Sequence, residues 1–272
     1  MDIRNIQYEL RDRSLSEIFD FGALVVRENL RPFLAMLGLA LLVFLPLNAW
    51  ILFSNHASEG EPEWWSGLHL ALLGLVLIED SILNFALVLL NGNLLFHHSP
   101  PLREVLAGSR PLFWRYIWHQ VALRTFYLIL LPWALVTVWR SLIVHLFKGE
   151  VLLLEKLKGS QARERLAAMN AGQSDRSMLF QLMALLALGA FVLVGAYAWN
   201  SLIEIFRLAD RFWWLEMDFS LRRPLTHVLI FAFSAYYSVV RFLYYIDTRS
   251  HREGWDVELA LTRGVRETEE IV

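Results

Sequence analysis

The apolar positions of this chain do not alternate with polar ones as they would in a soluble core; they collect into long, nearly uninterrupted runs. A helix needs roughly 20 predominantly apolar residues to cross about 30 Å of hydrocarbon. Runs of that length predict spans at about 32–53, 68–96, 177–199 and 224–246. Pro32 suits the first turn of its span, where a missing N–H removes no helical bond. The stretch from Phe113 to Leu154 is also mostly apolar, but Leu131-Pro132-Trp133 interrupts it. It fits either one span with flanking helices or a hairpin of two, 113–131 and 133–153, turning near Pro132.

Charge chooses between these. The segment Lys148 to Arg176 holds every lysine of the chain (Lys148, Lys156 and Lys158) together with Arg163, Arg165 and Arg176. The turn before the difficult stretch carries Arg103 and Arg110. Basic loops remain cytoplasmic, so both flanks call for the same compartment, which requires an even number of crossings. The hairpin gives six spans with both termini cytoplasmic. Arg207, Arg211, Arg222 and Arg223 then fall in the last external segment and fit this topology least; five spans is the alternative.

Outside the spans, Ser14 to Arg31 has the period of an amphipathic helix, with Leu15, Ile18, Phe19, Val25 and Val26 towards one side. Ser14 followed by Glu17 has capping-box spacing. Such a helix either lies in the membrane interface or packs on the protein itself; the span directly after it favours the interface. Ser160 to Asn170 reads as a short helix ending near Gly172, and 201–223 as a further interfacial helix. The expected organisation is an amphipathic helix at 1–31, a membrane domain at 32–246 and a charged tail at 247–272. The fold class is all-α: a polytopic integral membrane protein of about six transmembrane helices plus interfacial helices.

Composition agrees. The chain is 56% hydrophobic and 19% charged, against about 45–50% and about 25% in soluble domains. Trp64, Trp65, Trp133, Trp199, Trp213 and Trp214 flank apolar runs, where indoles favour the headgroup layer. Cysteine is absent, which excludes disulfides, thiolate metal sites and a cysteine nucleophile. The early charges are followed by no uninterrupted apolar segment of signal-peptide type.

The tail YYIDTRSHREGWDVELAL, Tyr244 to Leu261, resembles the ending of the glycerophosphoryl diester phosphodiesterase membrane-domain-like family, uncharacterised bacterial multi-pass proteins. The matching residues are Tyr245, Asp247, Arg249, Arg252, Glu253, Gly254, Trp255, Asp256 and Glu258, with His251 where a second basic residue is common. RSLSEIFDFGALVVRENLRPFL resembles the family's opening helix. VLLLEKLKGSQARERL resembles a segment in which a glutamate, here Glu155, precedes a basic helix. The resemblance implies the bacterial cytoplasmic membrane, and other membrane or membrane-associated proteins as partners, a MoxR-type AAA+ ATPase system among them. The family label implies no activity: a phosphodiesterase of that kind needs carboxylate-held metal and paired histidines, an arrangement the sequence lacks.

Glu79 and Asp80 are the sharpest chemical feature within the spans. A carboxylate at mid-bilayer costs on the order of 2.5–3.5 kcal/mol on insertion scales, so it faces protein or water and has a partner. Asp80, Asn84 and Asn91 share one helix face, and Arg124 and Arg140 are the cations on the hairpin arms. The expected inward polar cluster is Glu79, Asp80, Asn84, Arg124 and Arg140. It reads either as an ion pair fixing helix register or as a proton, ion or lipid-headgroup site. The second set of interest is the tail motif Asp247, Arg249, Arg252, Glu253, Gly254 and Asp256, which reads as a folded cap on the spans or as a docking site. No catalytic residue, metal site, cofactor or nucleic-acid partner is expected: there is no nucleophile elbow, phosphate loop or HExxH. The lipid bilayer is the first partner. A non-enzymatic subunit or scaffold of a membrane assembly is the expected role, and a transporter-like or lipid-handling protein the alternative.

Overall fold

The computed structural model describes residues 13–54, 67–94, 110–130, 143–157, 159–206 and 224–253. Among these residues every regular element is a helix: α1 Leu15–Glu28, α2 Leu30–Ser54, α3 Gly67–Leu94, α4 Arg110–Leu130, α5 Lys148–Leu153, α6 Gly159–Asn170, α7 Ser174–Ile205 and α8 Pro224–Glu253. Four of them, α2, α3, α7 and α8, are long and apolar enough to cross a membrane. The described part of the protein is thus an all-helical bundle with four candidate spans.

α3 and α8 form the centre, lying parallel to each other. Asn84 of α3 pairs with Ser234 of α8, and Asn91 with Ser238. α2 and α7 run antiparallel to α8: Asn48 meets His227 and Phe44 meets Phe231, while Ser177 meets Tyr244 and Gly195 lies against Leu229. The candidate spans therefore alternate in direction. α3 finishes and α7 starts at one end of the bundle, where α8 also finishes and α1 starts, so the intervening chain returns to the end it left.

α2 and α7 are the outer helices. Leu39, Leu42, Val43, Leu47 and Trp50 on α2, and Leu185, Leu186, Leu193, Val194 and Tyr197 on α7, are exposed. Soluble proteins rarely expose so much contiguous apolar surface; such a face suits lipid. The inward face of α2 is Phe33, Met36, Phe44 and Asn48, at the three-and-four spacing of one helix side.

α1 has the capping box expected from sequence. Ser14 Oγ accepts from the Glu17 amide at 3.3 Å, and the Ser14 amide donates to Glu17 Oε2 at 2.8 Å. Its buried residues are Leu15, Ile18, Gly22 and Val25. Protein covers this stripe: Tyr236 on α8 donates to the Phe19 carbonyl at 3.0 Å, and Phe19 packs on Phe180 and Tyr236. The backbones come close at Gly22, where a Cβ would stand 2.6 Å from Val240 Cγ2. Of the two readings of this helix, packing on the protein is what the described contacts contain.

Several boundaries differ from the sequence expectation: α7 runs unbroken to Ile205, past 199 and into the helix expected at 201–223. The run at 133–153 is not one helix in its described part: residues 145–147 form a turn before the short α5. The break turns Phe147 and Glu150 into the bundle, where Phe147 packs on Tyr244 and Tyr245 and Glu150 meets Arg241. The last span also does not stop at Ile246; α8 continues to Glu253, so the first part of the charged tail is helical. α6 lies almost where expected, and Gly172 follows it at φ +70°, a left-handed position that favours glycine after a helix end.

Candidate functional site: a polar seam along the last helix

The last helix places His227, Ser234, Ser238, Arg241 and Tyr245 at three-and-four spacing, and this polar face is buried. Each member has a partner outside α8, giving four successive polar groups from the start of α8 to its end.

At the start of α8, Asn48 Nδ2 lies 3.1 Å from Glu79 Oε2 and 2.9 Å from His227 Nδ1. All three side chains are buried. Glu79 thus turns towards α2 and α8. In the second group Asp80 accepts from the Ser234 hydroxyl, and Asn84 Nδ2 donates to the same Ser234 oxygen at 3.0 Å and to the Asp80 carbonyl at 2.9 Å. Two turns further along α3, Asn91 Nδ2 donates to Ser238 Oγ at 3.0 Å.

The third group is an ion pair. Arg241 Nε donates to Glu150 Oε1 at 2.8 Å, with Glu150 0% and Arg241 8% exposed. The guanidinium also lies over the Tyr237 ring, 5.8 Å from its centre. A buried pair is held by its geometry against the cost of desolvating both ions. Gly149, beside Glu150, lies against the same groups: a Cβ there would make ordinary contacts with Tyr116 at 3.4 Å and Arg241 Nη2 at 3.6 Å.

The fourth group closes the end of the bundle. Glu155 accepts from the Tyr245 hydroxyl at 2.7 Å and from Arg165 Nε at 2.8 Å. Arg165 also pairs with Glu253, which accepts from Arg249 Nε at 2.8 Å. Burial alone would lower the Arg165 pKa, but its hydrogen bonds and attraction to Glu253 and Glu155 outweigh this and hold the guanidinium above the ordinary arginine value. Beside this network Arg176 Nη2 reaches Asp247 Oδ2 at 2.9 Å and the Arg13 carbonyl at 2.6 Å, and the Arg13 amide donates to Asp247 Oδ1 at 3.3 Å. The starts of α1 and α7 are thereby fastened to the end of α8.

Of the expected cluster, Glu79, Asp80 and Asn84 lie together at the meeting of α2, α3 and α8. Arg124 falls within the α4 backbone; its side chain, and the whole of Arg140, lie outside the described residues. Of the tail motif, Asp247, Arg249 and Glu253 are in the cap, Arg252 is exposed at its edge, and Gly254 and Asp256 lie outside the described residues. Sequence reasoning missed Asn48, Glu150, His227, Ser234, Ser238 and Arg241. The periodic polar face of the last span was the signal that pointed to four of them. Among the described residues no group of three or more His, Cys, Asp or Glu is arranged to hold a metal ion.

No protein-family model, curated protein or solved structure matches this chain.

Proposed function

We propose that the protein is a non-enzymatic subunit or scaffold of a membrane-associated assembly, seated in the bacterial cytoplasmic membrane by six crossings with both termini cytoplasmic. One observation carries this reading: the polar side chains along α8 are spent on ties between helices. Asp80, Asn84, Asn91, Glu150, Glu155 and Arg176 each engage α8 from another part of the chain. Groups used in this way fix register and position the cap; the Asp80 cluster is paired rather than laid open along a conduit.

The alternating directions of α2, α3, α7 and α8 support the even number of crossings, since the chain between α3 and α7 returns to its starting end. The basic residues of α6 and the cap gather at that same end, which supports its cytoplasmic placement. The tail residues that carry the family resemblance, Tyr245, Asp247, Arg249 and Glu253, with Glu155, are cap-forming residues. That gives the motif a structural purpose in this chain. The cap's outer surface is then the place for a membrane-associated partner, such as an AAA+ ATPase system.

The test is purification of the tagged full-length protein from native membranes under mild detergent, with identification of co-isolating proteins. A stoichiometric partner retained by the wild type and lost on charge reversal of exposed Arg163 and Arg252 supports the reading. Isolation of the chain alone, with uptake of a solute by proteoliposomes, overturns it in favour of transport. Reporter fusions after Glu61, Gly159 and Ser220 test the topology separately; a periplasmic Gly159 contradicts it.

A further inference from the structure

We propose that Asn48, Glu79 and His227 form a proton-binding site, with Glu79 as the group that takes up and releases the proton. This goes beyond the scaffold reading and does not depend on it. Three candidate spans contribute one side chain each, and exposure is 0% at Asn48, 1% at Glu79 and 0% at His227.

The hydrogen bonding defines the unprotonated state of the site. An amide nitrogen carries two hydrogens and accepts nothing, so Asn48 Nδ2 donates both to Glu79 Oε2 at 3.1 Å and to His227 Nδ1 at 2.9 Å. An imidazole nitrogen that accepts carries no proton, so His227 is neutral and Glu79 alone sets the charge of the triad. Glu79 Oε1 and Asn48 Oδ1 are both buried with no hydrogen-bond partner among the described residues. The site therefore holds two unsatisfied acceptors and lacks one hydrogen. One proton entering on Glu79 forms one O–H bond, breaks none, changes the triad from −1 to neutral, and supplies the missing donor. A hard metal cation fits less well, because it takes about six or more oxygen ligands and only two oxygens are unsatisfied here.

The surroundings isolate this group. From α8, His227 faces it directly, and Arg241 is engaged by Glu150. From α3 itself, Asp80 is bonded to Ser234. α4 carries Arg115 and His119, together with Arg110 and Arg124, whose side chains lie outside the described residues; α5 carries Lys148 and Glu150, and the charge on α2 is Arg31, at the far end of that helix from Asn48. Among the described residues no cation hydrogen-bonds to Glu79, and an unpaired carboxylate ion at membrane depth is expensive. The site lies towards the end of the bundle where α8 starts. At 1.5 Å per helical residue, Asn48 lies about 9 Å from the end of α2 and His227 about 5 Å from the start of α8. Exchange from that side needs one or two helical turns, whereas the cap closes the other side.

The test is infrared difference spectroscopy of the full-length protein in proteoliposomes, titrated with pH. The expected result is a carboxylic-acid carbonyl band that shifts in heavy water, fades as pH rises, is absent in Glu79→Gln and moves in Glu79→Asp. In the unmodified protein, isotopic labelling of glutamate must shift the band and labelling of aspartate must not; this arm needs no variant to fold. Absence of such a band in the wild type at every pH overturns the proposal. So does a band that follows aspartate or survives in folded Glu79→Gln.

Discussion

Arg241 donates to Glu150 at 2.8 Å inside the bundle, joining the last candidate span to a six-residue helix at the start of the basic segment. Removing one partner of a buried pair leaves an uncompensated charge and costs about 3–5 kcal/mol, whereas an apolar replacement of both is often neutral. Arg241→Met and Glu150→Leu are each expected to lower the thermal unfolding midpoint in detergent strongly, and the double substitution to recover most of the loss. Single variants as stable as the wild type would show that the pair contributes nothing.

The uncharged ties are expected to be weaker. Hydrogen bonds between membrane helices average roughly 0.6 kcal/mol, with a maximum near 1.7. A double-mutant cycle between Asn91→Ala and Ser238→Ala is expected to give a coupling in that range, read from reversible unfolding in mixed micelles. Zero coupling would remove this contact from the seam.

Gly22 sets the approach of α1 to α8. A methyl group there meets Val240 Cγ2 at 2.6 Å, and overpacking of this kind costs typically about 1–3 kcal/mol. Gly22→Ala is expected to destabilise, and Val240→Ala added to it to restore part of the loss. A stabilised Gly22→Ala would contradict the packing described for α1.

Asp247 fastens the α1 start and Arg176 together. Asp247→Asn keeps an acceptor but loses the charge, so hydrogen exchange is expected to quicken through the first turn of α1 while α3 remains protected. Unchanged exchange there would mean that α1 is held without this tie.

Much of this arrangement is legible in the sequence, for identifiable reasons. The four apolar helices follow from run length, and the capping box from Ser14 and Glu17. The stripe Asp80, Asn84 and Asn91 follows from the helical period, because polar side chains gathered on one face of an apolar helix must turn away from lipid. Its partners are less legible. Ser234 and Ser238 are small enough to be unremarkable in a span, and nothing local links them to residues about 150 positions earlier. Glu150 and Arg241 were discernible as charges in apolar surroundings, but pairing across the chain depends on the turn at 145–147, which carries no strong breaker. Glu155 entered through the resemblance alone, and the tail residues also as a folded cap or docking site; the contacts they make became clear only when α6 brought Arg165 between Glu155 and Glu253.

On the proposed reading, the polar face of α8 is a dry tie between helices rather than a water-filled path. The chain contains no cysteine, so single cysteines introduced by Ser234→Cys and Ser238→Cys, with Tyr197→Cys and His251→Cys as exposed controls, report accessibility without background. The measurement is labelling by a membrane-impermeant maleimide in inside-out and right-side-out vesicles. The expected result is labelling at 251 from one side, silence at 197 while lipid covers it, and no labelling at 234 or 238 from either side until the protein is denatured. Prompt labelling of native protein at 234 and 238 would contradict the dry tie and establish an aqueous pathway along the seam.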